Sequence, residues 1–208
     1  MKYQLVLWDF DGTLADTLTL ALGIYNRMAA ERNFKPIDDP HAVRDMGMRE
    51  FLKSHGVPLH KIPFAFSTFL GELRTMAADV VLYDGIDLAL QQISEHGILQ
   101  GIVSSNNTET IRQCLKANNA EAHFDYVSGT SRIFGKEKRI KQALAALNVP
   151  AKNALYIGDE IRDIEAARSA GLDIVAVAWG LNSAAALTQH RPTHLILTPS
   201  ELLAILEG

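Results

Sequence analysis

Cysteine is almost absent from the sequence: Cys114 is the single one among 208 residues, which excludes an internal disulfide. Nothing therefore indicates an oxidising compartment. A long apolar run is also missing near the N-terminus, because the run up to Trp8 meets charge at Asp9 and is too short for a signal-peptide core or a membrane span. Neither sign of charge dominates, with 20 Lys and Arg against 24 Asp and Glu, so a nucleic-acid surface is not expected. We expect a cytoplasmic protein that binds neither membranes nor nucleic acid.

Apolar residues are plentiful enough for a sizeable core. They make up 48% of the chain, against 21% charged residues, which is the usual balance of a globular domain. A length of 208 residues exceeds what a minimal domain needs. The chain therefore has room for one domain with an insertion.

The apolar pattern predicts a first buried strand over Tyr3 to Trp8, followed by a segment without strands. That segment, 16–83, is divided by prolines into candidate helices near 17–33, 41–54 and 61–78. Strands and helices then alternate from residue 84 to the end. The predicted strands are 98–104, 126–127, 153–157, 173–177 and 194–197, and the predicted helices are 86–96, 107–118, 137–147, 161–170 and 200–206.

Strands that alternate with helices imply right-handed crossovers and a parallel sheet covered on both faces. We therefore predict an α/β fold with a Rossmann-like, doubly wound parallel sheet. Residues 1–15 and 84–208 would form its discontinuous core domain. Residues 16–83 would form a small all-helical cap domain inserted after the first strand.

Polar residues gather at the predicted carboxyl ends of the strands, where open α/β sheets bind their ligands. They are Asp9 and Asp11 after the first strand, Ser104, Ser105 and Asn106 after the second, Lys136 after Gly135, and Asp159, Glu160 and Asp163 after strand 153–157. Crowded carboxylates repel one another, and a divalent cation such as Mg²⁺ removes that conflict. The placement predicts a site that combines a metal with a substrate anion.

The same residues supply the groups that phosphoryl transfer needs. Asp9 can attack phosphorus, because an aspartyl carboxylate is a phosphoryl acceptor. Asp11 can protonate the leaving alcohol and then deprotonate the attacking water. Gly12 lets the backbone approach a phosphate closely, and Ser104 and Lys136 can donate to its oxygens.

Each element taken singly has a simpler interpretation. The turn after Asp9 has a common strand-ending composition, and Ser104 to Asn106 is a typical helix cap. The acids after Gly158 suit a helix N-terminus, and Lys136 lies in a charged run that is typical of a solvated helix face. Their shared order and placement favour the functional interpretation.

The motif DFDGTL at 9–14, the strand that ends in Ser104, the pair GK at 135–136 and the run GDEIRD at 158–163 resemble the four motifs of the haloacid dehalogenase-like superfamily. The stretch 158–180 is similar to its phosphoglycolate phosphatase-like branch with a helical cap. This resemblance implies a Mg²⁺-dependent phosphatase that hydrolyses a small phosphomonoester through an aspartyl-phosphate intermediate.

The resemblance also implies individual roles. Asp9 would be the nucleophile, Asp11 the general acid and base, and Lys136 their cationic partner. The metal ligands would be the side chains of Asp9 and Asp159 and the backbone carbonyl of Asp11. Asp163 would orient Lys136 or bind a metal-bound water. The phosphoryl group would be held by Gly12, Thr13, Ser104, Ser105 and Lys136.

Several alternatives stay open at the level of sequence. The segment FGKEKRIK leaves Lys138 as a rival to Lys136, and Arg49 in a loop that resembles the cap's substrate loop is a candidate substrate contact. A phosphomutase would keep every motif. A dehalogenase would need neither the metal nor Asp11, and an inactive binding module would have no reason to keep the acids. The phosphate ester and the oligomeric state are not predicted.

Overall fold

The computed structural model describes residues 2–46, 48–58, 60, 68, 71–72, 75–130 and 135–207, without the side chains of Met48, Arg49 and Ala77. Strands in this part of the chain form one six-stranded parallel sheet in the order β3-β2-β1-β4-β5-β6. The strands are β1 (Leu5–Trp8), β2 (Leu99–Ser104), β3 (Tyr126–Gly129), β4 (Ala154–Gly158), β5 (Asp173–Val177) and β6 (His194–Ile196). The predicted Rossmann-like, doubly wound fold is confirmed.

The described helices after residue 84 cover both faces of the sheet, and three others lie in segment 16–83. They are α1 (Thr17–Arg32), α2 (Pro40–Val43), α3 (Met48–Ser54), α4 (Ile86–Glu95), α5 (Thr108–Ala117), α6 (Lys136–Ala146), α7 (Ile161–Ala170), α8 (Ala184–Gln189) and α9 (Leu202–Glu207). Side chains of β1 alternate between two buried clusters: Val6 and Trp8 join one, and Leu5 and Leu7 join the other. Helices α4, α5 and α9 cover the first cluster, and α6, α7 and α8 cover the second.

The strand order brings the predicted site together. The chain winds from β1 through β2 to β3 and then returns to the other side of β1, so β1 lies between β2 and β4. Trp8 pairs with Ile157 at the carboxyl ends of β1 and β4, and the Asp9 N–H donates to the Ile157 carbonyl at 2.8 Å. Residues that follow these two strands are therefore neighbours at the topological switch point, where such sheets bind ligands.

Segment 16–83, called the helical insert below, contains no strand among its described residues. Around Ala29, Phe34 and Val57 it has a small apolar cluster that is separate from the two clusters of the sheet. The predicted helix 41–54 is wrong as one element. Helices α2 and α3 are separate because Arg44 is extended (φ −61°, ψ 141°) and Asp45 has a left-handed φ of 65°. The helix predicted at 61–78 lies largely outside the described residues.

The sequence patterns missed one helix, α8. It has six residues, and the Ser183 side chain caps it by accepting from the Ala186 N–H at 3.1 Å. A six-residue element is too short to show a helical period in its apolar residues. No helix in the described part of the chain is long and apolar enough to cross a membrane.

Candidate active site

Asp9 follows the carboxyl end of β1 and is only 2% exposed. Its Oδ1 accepts from the Phe10 backbone N–H at 2.8 Å, and its Oδ2 accepts from the Lys136 ammonium at 2.6 Å. Both carboxylate oxygens are thus held by donors. The side chain is fixed in one orientation at the edge of the sheet.

Lys136 is the first residue of α6, and its ammonium lies between two carboxylates. It donates to Asp9 and in a close contact to Asp163, and it lies 5.7 Å from the centroid of the Tyr156 ring. Burial disfavours the charge, yet Asp163 and Asp9 together raise the pKa of Lys136 well above its usual value. Lys138, two residues further along the same helix, is exposed. Lys136 is therefore the lysine that reaches Asp9.

Asp159 follows β4 and is 1% exposed. Its Oδ1 accepts from the Thr13 hydroxyl at 2.8 Å, and its Oδ2 accepts from the Leu181 backbone N–H at 2.7 Å. Burial, followed by repulsion from Asp163 and Asp9, raises its pKa well above the usual range. Asp159 is a buried carboxylate whose charge is only partly balanced by its neighbours.

Asp163 lies in the first turn of α7 and is completely buried. Its Oδ2 accepts from the Glu160 N–H at 3.0 Å as part of a capping box, and its Oδ1 accepts from Lys136. Burial raises the pKa of Asp163 to about 7, although the Lys136 charge opposes that rise. The capping box of α7 thus fixes the orientation of the Asp163 carboxylate, which accepts from Lys136.

Three carboxylates of this group are close enough to share a cation. Asp9, Asp159 and Asp163 each offer one oxygen, and these atoms lie within 4.8 Å of one another. Lys136 is the one buried cation that contacts the cluster among the described residues, so negative charge is in excess. A divalent cation would relieve the repulsion, and carboxylate oxygens are ligands that Mg²⁺ takes. The donor set therefore fits a magnesium ion.

Asp11 is turned toward other partners. Its Oδ1 accepts from the Asn106 amide at 3.0 Å, and Thr17 lies at the start of α1, six residues further along the chain. Burial, followed by repulsion from Asp9, raises the pKa of Asp11 to about 6 against the opposing effect of Asn106 and Thr17. A carboxyl with such a pKa can both donate and accept a proton near neutral pH.

Comparison with known proteins identifies the family. Residues 6–177 match the family model described as haloacid dehalogenase-like hydrolase. The chain belongs to the haloacid dehalogenase-like hydrolase family. The resemblance noted in the four sequence motifs is therefore confirmed.

Individual relatives agree with this assignment. A phosphoglycolate phosphatase from Synechococcus elongatus is 32% identical to this haloacid dehalogenase-like hydrolase, over 96% of this chain and 95% of the relative. Pyrophosphatase PpaX from Listeria monocytogenes is 28% identical, over 98% of this chain and 96% of the relative. A solved haloacid dehalogenase-like hydrolase from Streptococcus pneumoniae has the same fold, with a TM-score of 0.84, 23% identity and 99% of both chains covered. This family member is a hydrolase of the phosphatase type.

The predicted phosphate-binding residues of this haloacid dehalogenase-like hydrolase divide into two groups. Ser104 is buried at the end of β2, where its Oγ accepts from the Asn106 N–H at 3.1 Å, and Ser105 beside it is half-buried. Gly12 and Thr13 have their donors engaged within the protein. The Gly12 N–H bonds to the Ala15 carbonyl, the Thr13 N–H to that of Phe10, and the Thr13 hydroxyl to Asp159. The Thr13 hydroxyl thus supports Asp159, whereas the Gly12 N–H closes the turn after β1.

Two residues that contact the acidic site, Asn106 and Leu181, had no role predicted from the sequence. Asn106 was grouped with the polar residues after the second predicted strand but was given no role, yet it donates to Asp11. The Leu181 N–H, which holds Asp159, belongs to a loop without any sequence motif. The side chain of Arg49, the predicted substrate contact, lies outside the described residues.

Gly180 is packed so tightly against the site that a larger residue should disturb it. A methyl group there would lie 2.3 Å from both the Asp159 Cβ and the Gly12 carbonyl oxygen. We expect Gly180→Ala to lower the free energy of unfolding by about 1–3 kcal/mol, the usual effect of overpacking. Turnover should fall as well, because Asp159 must move. Urea unfolding and hydrolysis of an aryl phosphate measure the two effects.

Gly23 in α1 provides the matched control, since a methyl group there would meet nothing within 4 Å. Gly23→Ala should leave turnover unchanged and raise the free energy of unfolding by up to about 1 kcal/mol, because alanine favours a helix. Wild-type stability and turnover in Gly180→Ala would contradict the tight packing of Asp159.

Proposed function

We propose that this protein is a Mg²⁺-dependent phosphatase that transfers the phosphoryl group of a small phosphomonoester to Asp9 and then to water. The observation that carries the proposal is the arrangement around Asp9. A buried lysine holds Asp9 at 2.6 Å, two further carboxylates lie within metal-sharing distance, and Asp11 two residues away has a pKa of about 6. Together they provide a nucleophile, a cation site and a proton donor.

In the first step a carboxylate oxygen of Asp9 attacks phosphorus. A bond forms between that oxygen and phosphorus, and the bond from phosphorus to the leaving oxygen breaks. Asp11 gives its proton to the leaving oxygen, so the leaving group departs as a neutral alcohol. Lys136 remains beside Asp9, where its positive charge offsets the negative charge on the transferred group.

In the second step water displaces Asp9 from phosphorus. Asp11, now ionised, accepts a proton from the attacking water, and inorganic phosphate leaves while the Asp9 carboxylate is restored. The hydrogen bond from Asn106 holds the Asp11 carboxyl during both proton transfers. The same residue therefore serves as acid and then as base.

Asp9, Asp159 and the Asp11 carbonyl would hold the magnesium ion, and Asp163 would keep Lys136 in place. Bound Mg²⁺ supplies positive charge that draws the substrate phosphate toward Asp9. Thr13 and the Leu181 N–H orient the Asp159 carboxylate for this purpose. Ser104, the Ser105 N–H and Lys136 would hold the remaining phosphoryl oxygens.

Residues 16–83 would act as a cap domain over the core formed by 1–15 and 84–208. A cap that closes over the site excludes water and contributes substrate contacts. Support comes from the separate apolar cluster of the helical insert and from Thr17 at its start, whose side chain lowers the pKa of Asp11. Arg49 remains the candidate substrate contact in this cap.

Phosphoglycolate is the first candidate substrate, because the relative at 32% identity is a phosphoglycolate phosphatase. Pyrophosphate is the second, since relatives at 28% and 27% identity are pyrophosphatases. Both are small anions that carry a phosphoryl group on an oxygen leaving group. The reaction steps above apply to either one, with pyrophosphate releasing phosphate in place of an alcohol.

Metal dependence is tested by hydrolysis of a chromogenic aryl phosphate with Mg²⁺ and then with excess chelator. We expect turnover with Mg²⁺ that the chelator removes and fresh Mg²⁺ restores. Turnover that the chelator leaves undiminished would contradict a metal-dependent reaction. Absence of turnover on every phosphate tested would favour the inactive binding module.

A panel of phosphoglycolate, pyrophosphate, sugar phosphates and nucleotides then identifies the substrate. Released inorganic phosphate and the fate of the phosphoryl group are followed together. A hydrolase releases one phosphate for each phosphomonoester consumed and two for each pyrophosphate. Transfer of the group to a second position of a sugar phosphate, without phosphate release, would identify the phosphomutase alternative.

A further inference from the structure

Arg44 of the helical insert reaches across to the loop that follows β5, residues 178–183, called the clamped loop below. Its Nη2 donates to the Ala178 carbonyl at 2.9 Å, closely to that of Gly180, and to that of Asn182 at 3.3 Å. Its Nε donates to the Leu181 carbonyl at 3.3 Å. A single guanidinium thus gathers the carbonyls of one loop, a task that suits its rigid fork of donors.

Asp45, the next residue, accepts hydrogen bonds from donors of the same loop. Its Oδ1 accepts from the Asn182 amide at 3.0 Å and from the Ser183 N–H at 3.0 Å. Although burial opposes the charge, bonds from Ser183 and Asn182 lower the pKa of Asp45 below its usual range. The left-handed backbone of Asp45 turns the chain at this point. Adjacent residues of opposite charge therefore hold both the acceptors and the donors of the clamped loop.

The other side of the clamped loop bonds to the acidic site. The Leu181 N–H donates to Asp159 Oδ2 at 2.7 Å, and the Asn182 N–H donates to the Asp159 carbonyl at 3.3 Å. Asn182 Oδ1 also accepts from the N–H of Ile161, the first residue of α7, at 3.0 Å. One loop therefore connects the helical insert to a carboxylate of the cluster and to the helix that carries Asp163.

We propose that Arg44 and Asp45 are positioning residues that couple docking of the helical insert to the metal affinity of Asp159. The inference rests on the proposed function, because Asp159 is a metal ligand only there. With the insert docked, the clamped loop keeps the Leu181 N–H on Asp159 Oδ2 and fixes the orientation of that carboxylate. When the loop is released, that donor is lost, and among the described residues the Thr13 hydroxyl is the donor that remains on the Asp159 carboxylate. Mg²⁺ and the docked insert then favour each other, as linkage requires.

The first test is calorimetric titration of the full chain with Mg²⁺. We expect Arg44→Ala to bind Mg²⁺ about tenfold more weakly, the lower end of the effect of removing an outer partner of a metal ligand. Arg44→Lys should fall between Arg44→Ala and the wild type, because an ammonium cannot span several carbonyls. Asp45→Ala removes the bonds that Asn182 and Ser183 donate to Asp45, and it should also weaken Mg²⁺ binding.

Arg168 offers a matched control. Its Nη2 donates to the carbonyls of His190 and Arg191 at 2.8 and 2.9 Å, so it also holds a loop by its backbone, but it touches no residue of the acidic site. Arg168→Ala removes the same kind of contact. Its Mg²⁺ affinity should equal that of the wild type.

The two tryptophans give a second readout that needs neither metal nor activity. The Trp179 indole N–H, in the clamped loop, donates to the Thr13 carbonyl at 3.0 Å, whereas the Trp8 indole N–H donates to buried Gln100 at 3.2 Å. In ¹⁵N-labelled protein, Arg44→Ala should shift the Trp179 indole signal and speed its hydrogen exchange. The Trp8 signal should stay in place and report that the core is folded.

The outcomes separate the two proposals. A wild type that binds no Mg²⁺ would overturn the proposed function. A wild type that binds Mg²⁺, with Arg44→Ala and Asp45→Ala that bind it equally well and leave the Trp179 signal unchanged, would overturn the coupling alone. Weaker binding together with a displaced Trp179 signal, absent in Arg168→Ala, supports the coupling.

Discussion

Replacing Asp9 by asparagine should lower turnover by at least about a thousandfold, because the variant has no carboxylate to attack phosphorus. Asparagine has the same shape, so it can still accept from the Phe10 N–H. The change also removes one of the three clustered negative charges, and Lys136 keeps Asp163 as its partner. We therefore expect the free energy of unfolding in the absence of metal not to fall.

Steady-state hydrolysis of an aryl phosphate and urea unfolding measure these two effects. Acid quenching during turnover, followed by mass spectrometry, should find one added phosphoryl group on the wild type and none on Asp9→Asn. Turnover near the wild-type rate in a verified Asp9→Asn protein would remove Asp9 from the role of nucleophile.

Asp173 is a suitable control for this change. It too accepts from a lysine, Lys2, at 2.6 Å, but it lies at the amino end of β5, away from the acidic site. Asp173→Asn should leave turnover unchanged. The comparison shows whether loss of any lysine-paired aspartate impairs the enzyme or only loss of Asp9.

Lys136→Ala should combine a loss of activity with a loss of stability. Removal of the ammonium leaves Asp9 and Asp163 buried without their cation, and breaking a buried pair in this way lowers the free energy of unfolding by about 3–5 kcal/mol. Turnover should fall by about a hundredfold or more, because a preorganised charge beside the reacting group is lost. Urea unfolding and aryl phosphate hydrolysis again supply the measurements.

Lys138→Ala is the matched control on the same helix. Its side chain is exposed, so the free energy of unfolding should stay within about 0.5 kcal/mol of the wild type and turnover should not change. Equal effects of the two substitutions would show that the position of the ammonium between Asp9 and Asp163 is unimportant. That result would contradict the role given to Lys136.

Patterns of apolar residues were enough to predict the fold class and the positions of all six strands. Parallel strands need helical crossovers, and both leave marks in the local pattern of apolar residues, so the doubly wound sheet could be predicted without any tertiary contact. Placement of Asp9 and Asp159 at one edge followed from the same rule, because carboxyl ends of parallel strands meet there. The prediction of one helix over 41–54 was wrong, because the hydrogen bonds that join Arg44 and Asp45 to a distant loop override local helix propensity.

Contacts between polar groups could be read only from the packed structure. Lys136 and Lys138 are two residues apart in one charged run, and burial between Asp9 and Asp163 is what separates them. The hydrogen bond from Asn106 to Asp11 spans 95 positions of the chain, and that from Arg44 to Ala178 spans 134. Apolar periodicity reports which face of an element is buried. It carries no information about which distant backbone carbonyl or carboxylate a side chain will meet, because that depends on how the packed elements are placed in space.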